Sequence, residues 1–151
     1  MPNIGNDSEL RQFIDSLSFA QQRALGMRFA QGVIDLTQDP RLTKALETAL
    51  TPGVSAPELE EAYKTAKAIS TATFTACGRD ADWMAQAGHF SAAALQAALA
   101  PADQLPGRGT AAWKAAMQAR MARNCAMIET GQGSADSESQ RQYKIAQAAS
   151  G

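Results

Sequence analysis

The sequence has few of the residues that build β-sheets. Its 151 residues include only two valines and six isoleucines, against 32 alanines, and aromatic residues make up 6% of the chain. Branched aliphatic and aromatic side chains favour strands, whereas alanine is the strongest helix former. The composition therefore excludes a large sheet and predicts an all-α protein.

Histidine and cysteine are nearly absent, which restricts the chemistry that the chain could perform. His89 is the only histidine, and the two cysteines, Cys77 and Cys125, lack a Cys-x-x-Cys spacing. An imidazole base would have to be His89. The sequence lacks the closely spaced ligands of a zinc site and the paired Glu-x-x-His motifs of a di-iron site. We therefore expect no metal, no cofactor and no catalytic residue. His89 is interpreted as a polar residue at the edge of a buried helix, hydrogen-bonded to Asp82, Gln86 or a facing helix.

Targeting signals are also missing from the sequence. The first ten residues have neither a basic region nor an apolar one, and the uncharged stretch of 20 residues at Trp83–Ala102 contains too many polar groups and alanines for a bilayer. Two unpaired cysteines suit a reducing compartment. The excess of arginine over lysine, nine to five, and the abundance of alanine hint at a bacterial source. We expect a cytoplasmic protein with no membrane association.

The formal net charge is only −1, but the charges are unevenly distributed. Residues 1–62 hold nine acidic and five basic groups, whereas residues 63–128 hold three and seven. These charges either neutralise each other across the fold or leave a basic surface that contacts anions. Four cations are too few for a duplex-binding domain, so nucleic acid is not an expected partner. The candidate anion contacts are Arg108, Lys114, Arg120 and Arg123.

Helical periodicity and capping motifs predict a compact bundle of five to six antiparallel helices. Whether the first two helices are continuous is left open by the sequence. The helix ending near Ala100 should be central, and small residues should let helices approach closely at Gly26 and Gly88. The predicted helix starts are a cap at Asp7 or Ser8, capping boxes at Ser18–Gln21 and Ser55–Glu58, the Asp39-Pro40 pair, and the carboxylates Asp80 and Asp82. The predicted helix ends are Pro52-Gly53, Gly78, and Gly131 with Gly133. Pro101, Pro106, Gly107 and Gly109 break the chain before the last long helix.

The composition changes near the C-terminus. We predict a single domain over residues 1–131, followed by a polar linker and a weakly structured tail over residues 132–151. Ser134–Gln142 is polar and flexible in composition, and Tyr143–Ala149 could form one or two turns of helix. This tail could dock on the bundle.

Large apolar residues recur at helical spacing on the last long helix, at Trp113, Met117, Met121, Cys125 and Ile128. If this stripe turns inward it fills the core, which the spacing favours; if it faces outward, it is an interface. We predict a non-enzymatic protein that acts through protein–protein contacts, as a homodimer or as an accessory or regulatory subunit. The alternative is a small-ligand protein with an apolar pocket between the last two long helices, lined by Trp83, His89, Phe90, Trp113, Met117 and Met121.

Overall fold

The computed structural model describes residues 3–76, 82–101, 111–134 and 136–150, and for residues 74–76 it describes the backbone only. Throughout these residues the regular structure is helical, which confirms the all-α prediction. The described part holds seven α-helices and one 3₁₀ turn, slightly more than the five to six helices expected. These elements are α1 (Asp7–Asp15), α2 (Phe19–Gln31), the 3₁₀ turn (Ile34–Leu36), α3 (Pro40–Leu50), α4 (Ala56–Ala76), α5 (Trp83–Leu99), α6 (Ala111–Thr130) and α7 (Ser137–Ser150).

Local capping interactions fix most helix starts. The backbone N–H of Gln21 donates to Ser18 Oγ at 3.2 Å, and the Ser18 N–H donates to the Gln21 side chain at 2.9 Å. Ser55 and Glu58 make the same reciprocal pair. Both capping boxes are confirmed, and the first box separates α1 from α2.

Further helix ends follow the sequence signals. Asp39 accepts from the Arg41 N–H at 2.9 Å, immediately before Pro40 begins α3. Asp82 accepts from the Ala85 N–H and caps α5. Gly131, with φ +69°, follows the last residue of α6, as a helix-terminating glycine does. The predicted signals at Gly78, Asp80, Pro106, Gly107 and Gly109 lie outside the described residues.

The cap of α1 differs from the prediction by one or two residues. Asn6, rather than Asp7 or Ser8, accepts from the Glu9 N–H, at 2.9 Å. The Asp7 carboxylate is instead directed at Arg120 on α6. A tertiary ion pair thus takes the side chain that sequence reasoning assigned to a local cap.

Helix α5 is the centre of the bundle, as predicted. It packs against α2, α4 and α6, and half of its eight buried residues are alanine. A second, smaller hydrophobic cluster joins α1, α2, α6 and α7 around the fully buried Phe29. Among the described residues, no helix has the length and hydrophobicity that a bilayer crossing requires.

Small residues set how closely α2 and α5 approach. A Cβ atom added to Gly26 would lie 2.9 Å from the Ala98 Cβ and 3.4 Å from the Ala115 Cβ. The predicted close approach at Gly26 is therefore confirmed. At Gly88 the nearest neighbour is the Leu36 carbonyl oxygen at 3.6 Å, an ordinary contact with the chain after α2 rather than a helix crossing.

The C-terminal helix is longer than its composition indicates. Instead of one or two turns within Tyr143–Ala149, α7 extends over 14 residues from Ser137 to Ser150. Gln142 is fully buried and donates to the Ala116 carbonyl at 2.9 Å, while accepting from Arg120. A polar side chain that looks solvent-exposed in the sequence thus helps to attach α7 to α6, together with Tyr143 and Ala146 in the second cluster.

Candidate functional site: the outer face of α6

The two faces of helix α6 differ in side-chain size, because its small residues face inward. The buried residues of α6 are seven alanines and one cysteine, which pack towards α5, α2 and the second cluster. This arrangement follows from the tight approach at Gly26 and Ala98, which leaves room for methyl groups but not for larger side chains. The buried positions are Ala111, Ala112, Ala115, Ala116, Ala119, Ala122, Cys125 and Ala126.

The opposite face of α6 holds the larger apolar side chains. Met121 is 45% exposed and Ile128 is 56% exposed, and they account for two of the three large hydrophobic side chains exposed among the described residues. Trp113 and Met117 are half-buried on the same face. Asn124, which lies on this face between Met121 and Ile128, is exposed. We call this set the α6 stripe: Trp113, Met117, Met121, Asn124 and Ile128.

The favoured sequence interpretation, which turned the apolar residues of the stripe inward, is wrong for Met121 and Ile128, whereas Trp113 and Met117 do pack against the second cluster. Large side chains usually occupy the core, but here the inner face is filled by alanine, so the stripe is displaced outward. Only Cys125 of the predicted set is buried in the core. Asn124 was not singled out from the sequence, although its spacing from Met117 and Met121 places it on this face.

Positive charge lies along one border of the stripe. The guanidinium of Arg11 lies 4.7 Å from the centre of the Trp113 ring, and that of Arg120 lies 5.8 Å from it. Such cation–π contacts help to fix the orientation of the half-buried indole. Lys114, which follows the first residue of the stripe, and Glu129, which follows its last residue, are both exposed.

Two of the four predicted anion contacts, Arg120 and Arg123, are used inside the fold. Arg120 donates to both carboxylate oxygens of Asp7, at 3.0 and 2.7 Å, and this interaction lowers the pKa of Asp7. Arg123 donates to Glu138, Asp35 and the Gly32 carbonyl. Two of the four candidate cations are thus neutralised by carboxylates of the same chain, Lys114 lies at the surface, and Arg108 lies outside the described residues.

A buried carboxylate connects α7 to this network. Glu138 is 3% exposed; its Oε1 accepts from Arg123 at 3.2 Å and lies 3.6 Å from Arg141. Its Oε2 is buried and has no hydrogen-bond partner. Burial raises the pKa of Glu138, although Arg141 and Arg123 act in the opposite direction. Sequence reasoning missed Glu138, because nothing in the polar segment around it signals burial.

His89 hydrogen-bonds to the facing helix, as one of the predicted options had it. Its Nδ1 lies 2.9 Å from the Ser70 carbonyl oxygen and 3.1 Å from Thr73 Oγ1, both on α4. Burial lowers the pKa of His89, and the hydrogen bond to Ser70 offsets only part of that shift. The imidazole is therefore neutral at neutral pH and serves as a link between α4 and α5.

The six pocket candidates do not form one group: the rings of His89 and Phe90 contact each other, with their centres 4.9 Å apart, but other candidates divide between two clusters. Trp83 and Phe90 pack against the central cluster, whereas Trp113 and Met117 pack against the second one. None of the six, including His89 and the exposed Met121, lines the cavities between α3 and α4, between α4, α5 and α6, between α2 and α7, or between α4, α5 and the segment before α3. The contact between α5 and α6 is instead occupied mainly by alanines of both helices.

No family model, curated protein or solved structure matches this chain. Among the described residues, no group of three or more His, Cys, Asp or Glu side chains is placed to hold a metal ion. The α6 stripe is therefore judged on its own geometry.

Proposed function

We propose that this chain is a non-enzymatic protein that works through protein–protein contacts made by the α6 stripe. The observation that carries the proposal is the outward orientation of Met121 and Ile128, in line with the half-buried Trp113 and Met117. Single exposed hydrophobic residues are common on protein surfaces, but an apolar row along one helix is typical of a contact surface.

The residue types and the energetics favour this role. Aromatic residues and methionine are enriched in the cores of interfaces, and methionine adapts its shape to a partner. Covering Met121 and Ile128 would each contribute roughly 1 kcal/mol, about half of the value for burying a whole apolar side chain. Trp113 gives the surface a rigid aromatic anchor of the kind that dominates binding energy.

The chemistry around His89 supports a non-enzymatic role. The only imidazole is buried and its Nδ1 is engaged with Ser70 and Thr73, so it acts as a structural link between helices. A cytoplasmic location is part of the same proposal; it rests on two cysteines without paired spacing in a fold of this size.

A small apolar ligand is the second candidate, and one cavity favours it. A cavity of about 320 Å³ lies between α4, α5 and the segment before α3, and Thr73, Met84 and Gly88 are among its lining residues. This volume is at the lower end for ligand sites. The cavity is on the α4 side of α5, not between α5 and α6 as predicted. Native mass spectrometry of the purified protein separates the two candidates, because a retained ligand adds a small mass and a protein partner a large one.

Site-specific photocrosslinking tests the proposed contact surface. A photoreactive phenylalanine derivative is introduced at Asn124, in the middle of the α6 stripe, and at Ala68, an exposed position on α4, as the control. The full chain is irradiated in its source cells, and crosslinked polypeptides are identified by mass spectrometry. We expect one defined protein adduct, with this chain or with another, at position 124 only. Equal yields at the two positions would contradict the proposal.

A further inference from the structure

We infer that the partner of the α6 stripe is a second copy of this chain, packed so that the two α6 helices run antiparallel. The inference rests on the proposed function and names its partner. It is carried by two properties of α6, the spacing of its outer residues and the position of its exposed charges.

Without Trp113, the other four residues of the stripe are spaced symmetrically about their middle. Met117, Met121, Asn124 and Ile128 are separated by four, three and four residues, an order that reads the same from either end. Two antiparallel copies centred between Met121 and Asn124 therefore align Met117 with the partner's Ile128. The same alignment sets Met121 against the partner's Asn124. Spacings of three and four residues are also those of two-stranded helical packing, in which one polar residue fixes the register.

The exposed charges suit the same arrangement. Lys114 lies near the N-terminal end of the stripe and Glu129 near its C-terminal end, about 22 Å apart at 1.5 Å per residue, and both are exposed. In the antiparallel pair each Lys114 lies within about 3 Å, along the helix axis, of the level of the partner's Glu129. A parallel pair would place like charges together at both ends. Arg120, on the other border, is neutralised by Asp7 and adds little repulsion.

A charge exchange tests this pairing. Lys114→Glu and Glu129→Lys should each raise the dimer Kd about three- to tenfold, since each puts two like-charged contacts into the dimer. The double variant should return to within about twofold of the original Kd. Both changes place favourable charges at the ends of the helix dipole, so α6 itself should not be destabilised. Sedimentation velocity over a range of concentrations measures the Kd.

A second pair of variants examines the apolar centre. Met121→Glu should raise the Kd at least tenfold, because it puts two carboxylates at the middle of the interface. Phe19→Glu, which alters the comparably exposed Phe19 on α2, should leave it unchanged. Far-ultraviolet circular dichroism checks that both variants remain folded.

The outcomes separate this inference from the proposed function. A chain that stays monomeric at 100 μM, or a double charge variant that dimerises no better than the single ones, overturns the antiparallel dimer. If the chain is monomeric and Asn124 still crosslinks to a different protein, only the self-pairing is overturned. If it is monomeric and Asn124 crosslinks no more than Ala68, both are overturned.

Discussion

At Glu138, burial and the neighbouring positive charges shift the pKa in opposite directions. Its carboxylate lies beside Arg123 and Arg141, yet burial outweighs them and raises its pKa. Removing two charges from water can cost more than their attraction returns. Burial of Glu138 therefore opposes its ionisation in the folded state.

This opposition predicts a pH-dependent effect of Glu138→Gln. A carboxyl group with a raised pKa binds more protons in the folded state, so its contribution to stability falls as pH rises above the ordinary value of 4.5. Relative to the wild type, the glutamine variant should gain stability as pH increases from 4.5. Urea denaturation at several pH values measures the difference, with the exposed Glu47→Gln as control. A difference that is constant with pH would refute the assignment.

Glycine and alanine determine the geometry at the scale of helices. Gly26 allows α2 to contact α5 and α6 through backbone and methyl groups, and this closeness selects the alanine face of α6 as the inner one. The outward position of the stripe is thus a consequence of close packing on the opposite side of α6. The same small residues therefore determine both the packing of the core and the position of the contact surface.

Two glycine substitutions test this explanation. Gly26→Ala should lower the free energy of unfolding by up to about 2 kcal/mol, because a clash worth about 1–3 kcal/mol exceeds a helix-propensity gain of about 1 kcal/mol. Gly88→Ala, where the added Cβ has ordinary contacts, should instead stabilise by up to about 1 kcal/mol. Thermal and urea unfolding compare the two. Equal effects would mean that α2 and α5 are not held as closely as described.

The features predicted correctly from the sequence are those that depend on a few neighbouring residues. Ser18 with Gln21, and Ser55 with Glu58, form their capping boxes from residues three apart, and Asp39-Pro40 starts α3 for equally local reasons. The Asn6 cap was missed because Asp7 is committed to a residue 113 positions away. When a side chain can bind either a local or a distant partner, its neighbours in the sequence do not determine which one it binds.

At the scale of the whole molecule, opposite charges connect the two halves of the chain. Asp7 pairs with Arg120 and Asp35 with Arg123, so the acidic first part and the basic later part neutralise each other in the fold. The uneven charge distribution predicted this neutralisation as one of two options. Its partners could not be predicted, because they depend on how α1, α6 and α7 are arranged.

The orientation of α6 and the docking of α7 also depend on the complete fold. Sequence patterns give weight to large side chains, so they direct Met121 and Ile128 inward, and they interpret the polar residues near Glu138 as linker. In the structure, Gly26 and the alanines of α6 leave little space between α2, α5 and α6, so that larger side chains are placed on the outer face. The candidate contact surface is therefore the feature that the sequence alone assigned to the wrong side of its helix.

Methionine oxidation tests the orientation of α6 most directly. The folded chain at submicromolar concentration, where self-association is weakest, is treated briefly with dilute peroxide, and peptide mass spectrometry gives a rate for each methionine. Met121, at 45% exposure, should oxidise much faster than Met27, at 9%, and should become protected as protein concentration rises. If Met121 is as slow as Met27 in the dilute monomer, the stripe faces inward and the proposed contact surface does not exist.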